Sequence, residues 1–314
     1  MSLHLTAARL NHLFREFHGR PIAVIGDIML DRYLHGSVKR ISPEAPIPIL
    51  HVEREHARPG GAANVAWNLA RLGARCTLVG LCGRDANAAL LKGTLREFGV
   101  ETTGIVAAAD RPTVVKTRIV SRQQQLLRID REAPADAPPT SAATETRLIA
   151  AARRALQKAQ AVIFSDYVKG CLTPRVVREI LALAARRRIP VLVDSKDNHV
   201  EHYRGADWIK PNRHEAARVV GFELHSDRDY ERAGELFFRR TGCRVVAITR
   251  GAQGMSFFTR AGRGVKRLYG PNHALEVADV TGAGDTAMAI MALMAAVQAT
   301  ATPGTPATPA TPAT

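Results

Sequence analysis

The chain has 314 residues, 46% of them hydrophobic, enough for one large core with a lid or for two domains. A formal net charge of +15 raises nucleic acid as a partner, yet the basic residues are spread out and only 5% of residues are aromatic. No basic run carries interleaved stacking groups, so an Arg-rich solvated surface with anionic small substrates accounts for the charge better. No run of about 20 apolar residues announces a membrane span. Met1 to Arg20 is polar and mixed in charge, unlike a secretion signal. Cys76, Cys82, Cys171 and Cys243 lack paired CxxC spacing and read as buried small apolar residues of a reduced, cytoplasmic protein.

In chain order, residues 21–26 (PIAVIG) predict a buried strand. Residues 75–81, 161–165, 190–194 and 244–249 are similar short apolar runs. Between them lie helical patterns: Ala62, Val65, Ala66, Leu69 and Ala70, then Val176, Ile180, Leu183 and Ala184. Strands alternating with helices predict an α/β fold whose parallel sheet is covered on both faces. Segments 31–57 and 111–131 break the rhythm with short alternating runs and no long helices. They predict antiparallel strands of a small lid over the carboxyl ends of the main strands, where ligands bind in open α/β sheets. Thr286 to Val297 reads as a helix, and residues 299–314 form a Thr/Ala/Pro repeat expected to be disordered.

The segment Asp279-Val280-Thr281-Gly282-Ala283-Gly284-Asp285 carries the clearest chemistry. Small residues directly before a helix leave backbone N–H groups free for an anion, and the helix dipole favours negative charge there. A carboxylate beside an anion hole suits a site where a hydroxyl loses a proton as a phosphoryl group arrives. The alternative is a Gly-rich turn with Asp285 as a helix cap. Asn212 and Glu215 are one helical turn apart; such a pair can hold the hydration shell of Mg²⁺, or form a capping box, or both. Gly60-Gly61 lets backbone approach a polyhydroxylated ligand closely, or makes the tight turn into the next helix. The eleven histidines form no HxxH or HExxH pattern.

These motifs, with Gly60-Gly61-Ala62-Ala63-Asn64 and Lys210-Pro211-Asn212-Arg213-His214-Glu215, resemble the signatures of the ribokinase-like (PfkB) sugar kinases in order and separation, over about residues 20–298. Four segments resemble the branch that phosphorylates D-glycero-β-D-manno-heptose 7-phosphate at C1: 26–33 (GDIMLDRY), 40–46 (RISPEAP), 124–130 (QQLLRID) and 165–170 (SDYVKG). The resemblance implies a three-layer sandwich with a mostly parallel central sheet, a single kinase domain over residues 1–298, and homodimerisation through the lid. It implies ATP as co-substrate with Mg²⁺, a heptose 1,7-bisphosphate product for the ADP-heptose of lipopolysaccharide core, and no nucleic-acid or membrane partner.

Carried over residue by residue, the resemblance implies Asp285 as general base and Gly282, Ala283 and Gly284 as anion hole. Asp27, Asp31, Gly60, Gly61, Asn64 and Lys169 would hold the sugar. Asn212, Glu215, Thr249 and Gly251 would face the nucleotide, with Asn212 and Glu215 positioning Mg²⁺ through water. Arg118, Arg122 and Arg128 in the lid are candidates for the substrate's 7-phosphate, because Arg forks match phosphate geometry; solvated lid charges are the alternative. Some members carry a fused nucleotidyltransferase domain, which a chain of this length ends too early to hold. Family members also continue beyond the helix after GAGD, where Ala299 here begins the repeat. From that departure follow two expectations: an exposed helix face at Met288, Ile290, Met291 and Met294, and the alternative of a catalytically impaired sugar-phosphate binder. A kinase for another sugar or sugar phosphate is the other alternative.

Overall fold

The computed structural model describes residues 6–301, without 123, 135, 263 and 272–281. The chain opens with α1 (Ala7–Phe17) and β1 (Pro21–Gly26). Two long strands follow, β2 (Ile28–Ile41) and β3 (Pro48–Gly61), then α2 (Ala62–Arg71), β4 (Arg75–Cys82), α3 (Ala86–Glu97) and β5 (Glu101–Ala107). A second excursion is built from β6 (Val114–Ser121) and β7 (Gln124–Arg131). The chain returns through α4 (Ala142–Ala155), β8 (Ala161–Asp166), α5 (Pro174–Arg187), β9 (Val191–Ser195), β10 (Trp208–Ile209), α6 (Arg213–Val220), α7 (Asp227–Thr241) and β11 (Val245–Thr249). A hairpin, β12 (Met255–Ala261) and β13 (Gly264–Gly270), precedes α8 (Ala283–Ala301).

Among the described residues the main sheet runs β13-β12-β11-β10-β9-β8-β1-β4-β5 and the lid sheet runs β3-β2-β6-β7. Pairing is parallel from β11 to β5, and the hairpin adds an antiparallel edge. β1 lies inside the sheet, and its alternate residues serve opposite faces. Ala23 and Ile25 join the core under α4, α5 and α7, whereas Ile22 and Val24 join the core under α2 and α8. This period of two on a strand buried on both sides is what the apolar run PIAVIG encodes. The result is the expected three-layer α/β sandwich with a mostly parallel sheet and a small β lid.

The lid strands reach further than expected. β2 and β3 already pair at Ile28↔Gly61, immediately beyond β1, and stay paired to Ile41↔Pro48. The lid therefore grows from the carboxyl end of β1, directly over the site. All four cysteines are free and buried, as the spacing predicts.

Two expectations about the last helix are corrected. α8 runs to Ala301, so Ala299 and Thr300 are helical; residues 302–314 of the repeat lie outside the described residues. Its apolar face is largely covered: Met288 is 0% and Met291 7% exposed, packed with Ala289, Ala292 and Leu293 in the core shared with α2, and only Ile290 stays open at 40%. Length and composition make Ala283–Thr300 compatible with a membrane span, which the sequence reading did not expect. The buried side chains show that this apolarity serves the core.

Candidate active site

Gly282, at the start of α8, has φ +83°, and a Cβ there would lie 2.7 Å from the Asn64 amide nitrogen. Only glycine makes this left-handed turn without a clash. The first i→i−4 bond of α8 runs from the Thr286 N–H to the Gly282 carbonyl. By helix geometry the amides of Ala283, Gly284 and Asp285 have no intrahelical acceptor, which makes this end an anion-binding position. Asp279, Val280 and Thr281 lie outside the described residues.

Asp285 is 7% exposed and held on both oxygens. Asn64 Nδ2, in the first turn of α2, donates to Oδ2 at 2.6 Å, and the Tyr167 hydroxyl donates to Oδ1 at 3.1 Å. Burial, and secondarily the charge of Asp194, raise the Asp285 carboxyl above its ordinary range, while Asn64, Tyr167 and Lys210 pull it back. Burial and the Asp285 charge push the Tyr167 phenol up, so it stays a donor.

Beneath α8 lies a charge network. Lys210 Nζ, 2% exposed, meets Asp194 Oδ2 at 2.8 Å. Lys196 Nζ bridges Asp194 Oδ1 at 3.2 Å and Glu215 Oε1 at 2.7 Å. A Cβ on Gly284 would lie 3.4 Å from Lys210 Nζ, so the ammonium sits against the first turn of α8 and adds positive charge to the anion hole. Although burial acts to raise the Asp194 carboxyl, Lys210 and Lys196 bring it below its ordinary value.

A pocket of about 260 Å³ opens beside Asp285, between the base of the lid and the starts of α2 and α8. Asp31, Asn64, Gly282 and Ala283 line it, with Arg58, Tyr33 and Trp67. It thus brings together Asp31, Asn64 and the anion hole, as expected.

Other residues expected at the site are engaged by protein groups. Asp27 faces away from solvent: Oδ2 accepts the backbone N–H groups of Tyr167 and Lys169, and Oδ1 that of Cys171, at 2.8–3.0 Å. It pins the 166–171 loop from a position only 3% exposed. Burial, then the nearby Asp166, raise its carboxyl to about 7 against the three N–H bonds. Gly60 and Gly61 are buried at the strand–helix junction. A Cβ on Gly60 would come within 2.5 Å of Asp31 Oδ2, and one on Gly61 within 2.5 Å of the Asp27 carbonyl, so both positions need glycine to make room for these protein atoms. Lys169 Nζ is paired with Glu132 at 2.8 Å. Arg118 is paired with Asp31 at 2.6 Å and Arg128 with Asp130 at 2.8 Å, while Arg122 occupies the exposed β6–β7 turn.

Asn212 and Glu215 form the capping box of α6: Asn212 Oδ1 accepts from the Glu215 N–H, and Glu215 Oε2 from the Asn212 N–H. Glu215 Oε1 takes Asn212 Nδ2 and Lys196. With two lysines in the network and every carboxylate oxygen engaged, these residues do not fit a directly ligated Mg²⁺. Among the described residues no group of three or more His, Cys, Asp or Glu could hold a metal. Thr249 ends β11 and bridges to Asn212, and Gly251, at φ +59°, begins the following turn. Both therefore sit beside the capping box at the carboxyl end of the sheet.

Tyr167 and Lys210 fall inside the motif segments 165–170 and 210–215 but have no role assigned there, and Asp194 and Lys196 carry no marker of their own in the sequence. The available signal was position: Asp194 and Lys196 flank the end of one apolar strand run, and Lys210 directly precedes the Pro-Asn of α6.

A buried carboxylate at an anion-binding helix start, adjoining a pocket under a lid, suits phosphoryl transfer to an alcohol. The family model described as pfkB family carbohydrate kinase matches residues 20–300, and the chain belongs to that family. It is 47% identical over 270 residues to the bifunctional protein HldE of Azorhizobium caulinodans, covering 86% of this chain and 55% of that protein. To HldE of Caulobacter vibrioides it is 45% identical over 284 residues, covering 89% and 56%. The chain thus spans about half the length of the curated relatives it matches. In fold it is similar to Arabidopsis thaliana ribokinase complexed with ribose and ATP, at TM-score 0.68, 19% identity and coverage of 88% and 86%. Phosphofructokinase-2 from Escherichia coli in complex with potassium gives TM-score 0.70 at 19% identity, with coverage of 88% and 86%. The chain is a carbohydrate kinase.

Proposed function

We propose that the chain transfers the γ-phosphoryl group of ATP to the C1 hydroxyl of D-glycero-β-D-manno-heptose 7-phosphate, in the cytoplasm, giving heptose 1,7-bisphosphate for ADP-heptose and lipopolysaccharide core synthesis. The observation that carries phosphoryl transfer is Asp285, buried between Asn64 and Tyr167 at the start of α8, next to the pocket that Asn64, Gly282 and Ala283 line. The acceptor assignment is supported by the four segments that resemble heptose 7-phosphate kinases.

In this reading Asp31 and Asn64 orient the acceptor's hydroxyls. Asp285 takes the C1 hydroxyl proton as the oxygen attacks phosphorus, and its raised carboxyl favours keeping that proton. The amides of Ala283 and Gly284, backed by Lys210, stabilise charge on the transferring group. Thr249 and Gly251 face the nucleotide. The lid shows Ile41, Ile47, Leu127 and Ile129 to solvent, which supports a homodimer through this sheet. Light scattering on Ile129→Glu tests that contact, with a monomer expected.

An ATP-consumption assay over a panel of sugars and sugar phosphates, with ³¹P spectra of the product, tests the acceptor. Heptose 7-phosphate is expected to give the highest kcat/KM and an anomeric phosphate. A different preferred sugar would replace the acceptor assignment while leaving the kinase class intact.

A further inference from the structure

The pocket beside Asp285 is lined by two chemically different sets of residues. Asp31 offers an acceptor and Asn64 an amide, a pattern suited to hydroxyls. Arg58, Tyr33, Trp67 and Asn68 also line it, and among the described residues Arg58 is its only cationic lining residue. Arg58 stands opposite Asp31 in the β2–β3 ladder, so both side chains lie on one face of the lid. Among the described residues Arg58 makes no ion pair, whereas Arg118 is matched by Asp31, Arg32 by Glu55 and, in the 166–171 loop, Lys169 by Glu132. Trp67 Nε1 is buried without an acceptor, although its ring is fixed by Phe98 at 5.5 Å and Arg71 at 5.0 Å. Trp67 and Asn68 follow Asn64 by one helical turn on α2, so their side chains continue outward from the Asp285 contact.

The pocket therefore presents an unpaired guanidinium, with an orphan indole N–H on a second lining residue. The anion-binding start of α8 is reserved for the transferring group, so an anion already on the acceptor needs a separate cation. We propose that Arg58, assisted by Trp67 Nε1, binds the phosphate that the acceptor already carries and so selects sugar phosphates over plain sugars. The direction of the acceptor rests on the reading of Asp285 as the base. A guanidinium fork matches a phosphate in two bonds, and the β2–β3 pairing holds it at a fixed distance from Asp31.

The test is calorimetric titration of the full chain, without nucleotide, with heptose 7-phosphate and heptose, and with fructose 6-phosphate and fructose. The wild type is expected to prefer a phosphorylated sugar to its plain counterpart. Arg58→Gln should weaken binding of that sugar phosphate at least ~10-fold more than binding of the plain sugar, as for loss of hydrogen bonds to a charged group. Arg58→Lys should fall between, and in assays the loss should appear in KM more than in kcat. Arg40→Gln, an exposed lid cation outside the pocket, should leave the ratio unchanged. Equal losses for both members of a pair, no loss, or a wild type without preference for phosphorylated sugars would overturn the proposal. If heptose 7-phosphate is bound in an Arg58-dependent way but is not phosphorylated, the acceptor reading fails and the role of Arg58 stands.

Discussion

Asn64 and Asp285 are 221 positions apart in the chain, yet the amide Nδ2 of one donates to carboxylate Oδ2 of the other at 2.6 Å. The bond ties the first turn of α2 to the first turn of α8, so the sugar side of the site and the base are set by one contact. Tyr167 holds the other oxygen from the 166–171 loop.

Both donors stabilise the ionised carboxylate, so removing either should raise the Asp285 pKa further. The base works only when deprotonated, and activity falls as pH drops through its pKa. Tyr167→Phe is expected to move the acid limb of kcat against pH to higher pH and lower kcat at neutral pH by about 10-fold. A pH–rate profile checks this; an unmoved acid limb would remove Tyr167 from tuning the base.

Asp27 gives a stability expectation with a definite sign. Its folded carboxyl is raised from 3.8 to about 7, so its contribution is fully present below pH 3.8 and is lost as pH rises through 7. Asp27→Asn removes that titration and some of the acceptors for three N–H groups. Melting curves from pH 5 to 8 should show a flatter pH dependence than wild type, and a loss of about 1–3 kcal/mol at pH 5.

How far the sequence could be read depended on the range of each signal. The parallel core was legible because PIAVIG and its fellow runs are local patterns, and the Asp285 turn because its glycines and carboxylate are contiguous. That the 166–171 loop folds back onto Asp27, and that the Asp31 side chain packs against Gly60, is not legible because nothing local encodes either contact. The Asp194–Lys196–Lys210–Glu215 network was invisible for the same reason: its members come from separate strands and a helix start and meet only in space. Arg118 looked like a phosphate ligand until its pairing with Asp31 was known. The apolar face of α8 looked open because its partner, α2, lies more than two hundred residues earlier.

Glu215 separates capping from metal binding. Gln preserves the α6 capping geometry but removes the charge facing Lys196 at 2.7 Å. Glu215→Gln is expected to lower stability by about 1.5–3 kcal/mol and leave the Mg²⁺ midpoint of the reaction unchanged. A midpoint moved several-fold upward would instead support Glu215 holding Mg²⁺ through water.

The packing of α8 is tested by contrast. Leu293 is fully buried and Ile290 is 40% exposed. Leu293→Ala should cost about 2–5 kcal/mol, whereas Ile290→Ala should cost well under that range. Similar losses at both positions would mean that Ile290 is covered in solution.

The central claim is that Asp285 is the general base of phosphoryl transfer to a sugar hydroxyl. The most direct measurement compares wild type and Asp285→Asn in single-turnover transfer from ATP to heptose 7-phosphate, with acceptor binding measured in parallel. The expected result is a rate at least ~10²-fold lower with acceptor affinity within about threefold of wild type. A well-folded Asp285→Asn chain that transfers phosphate at near the wild-type rate would contradict it.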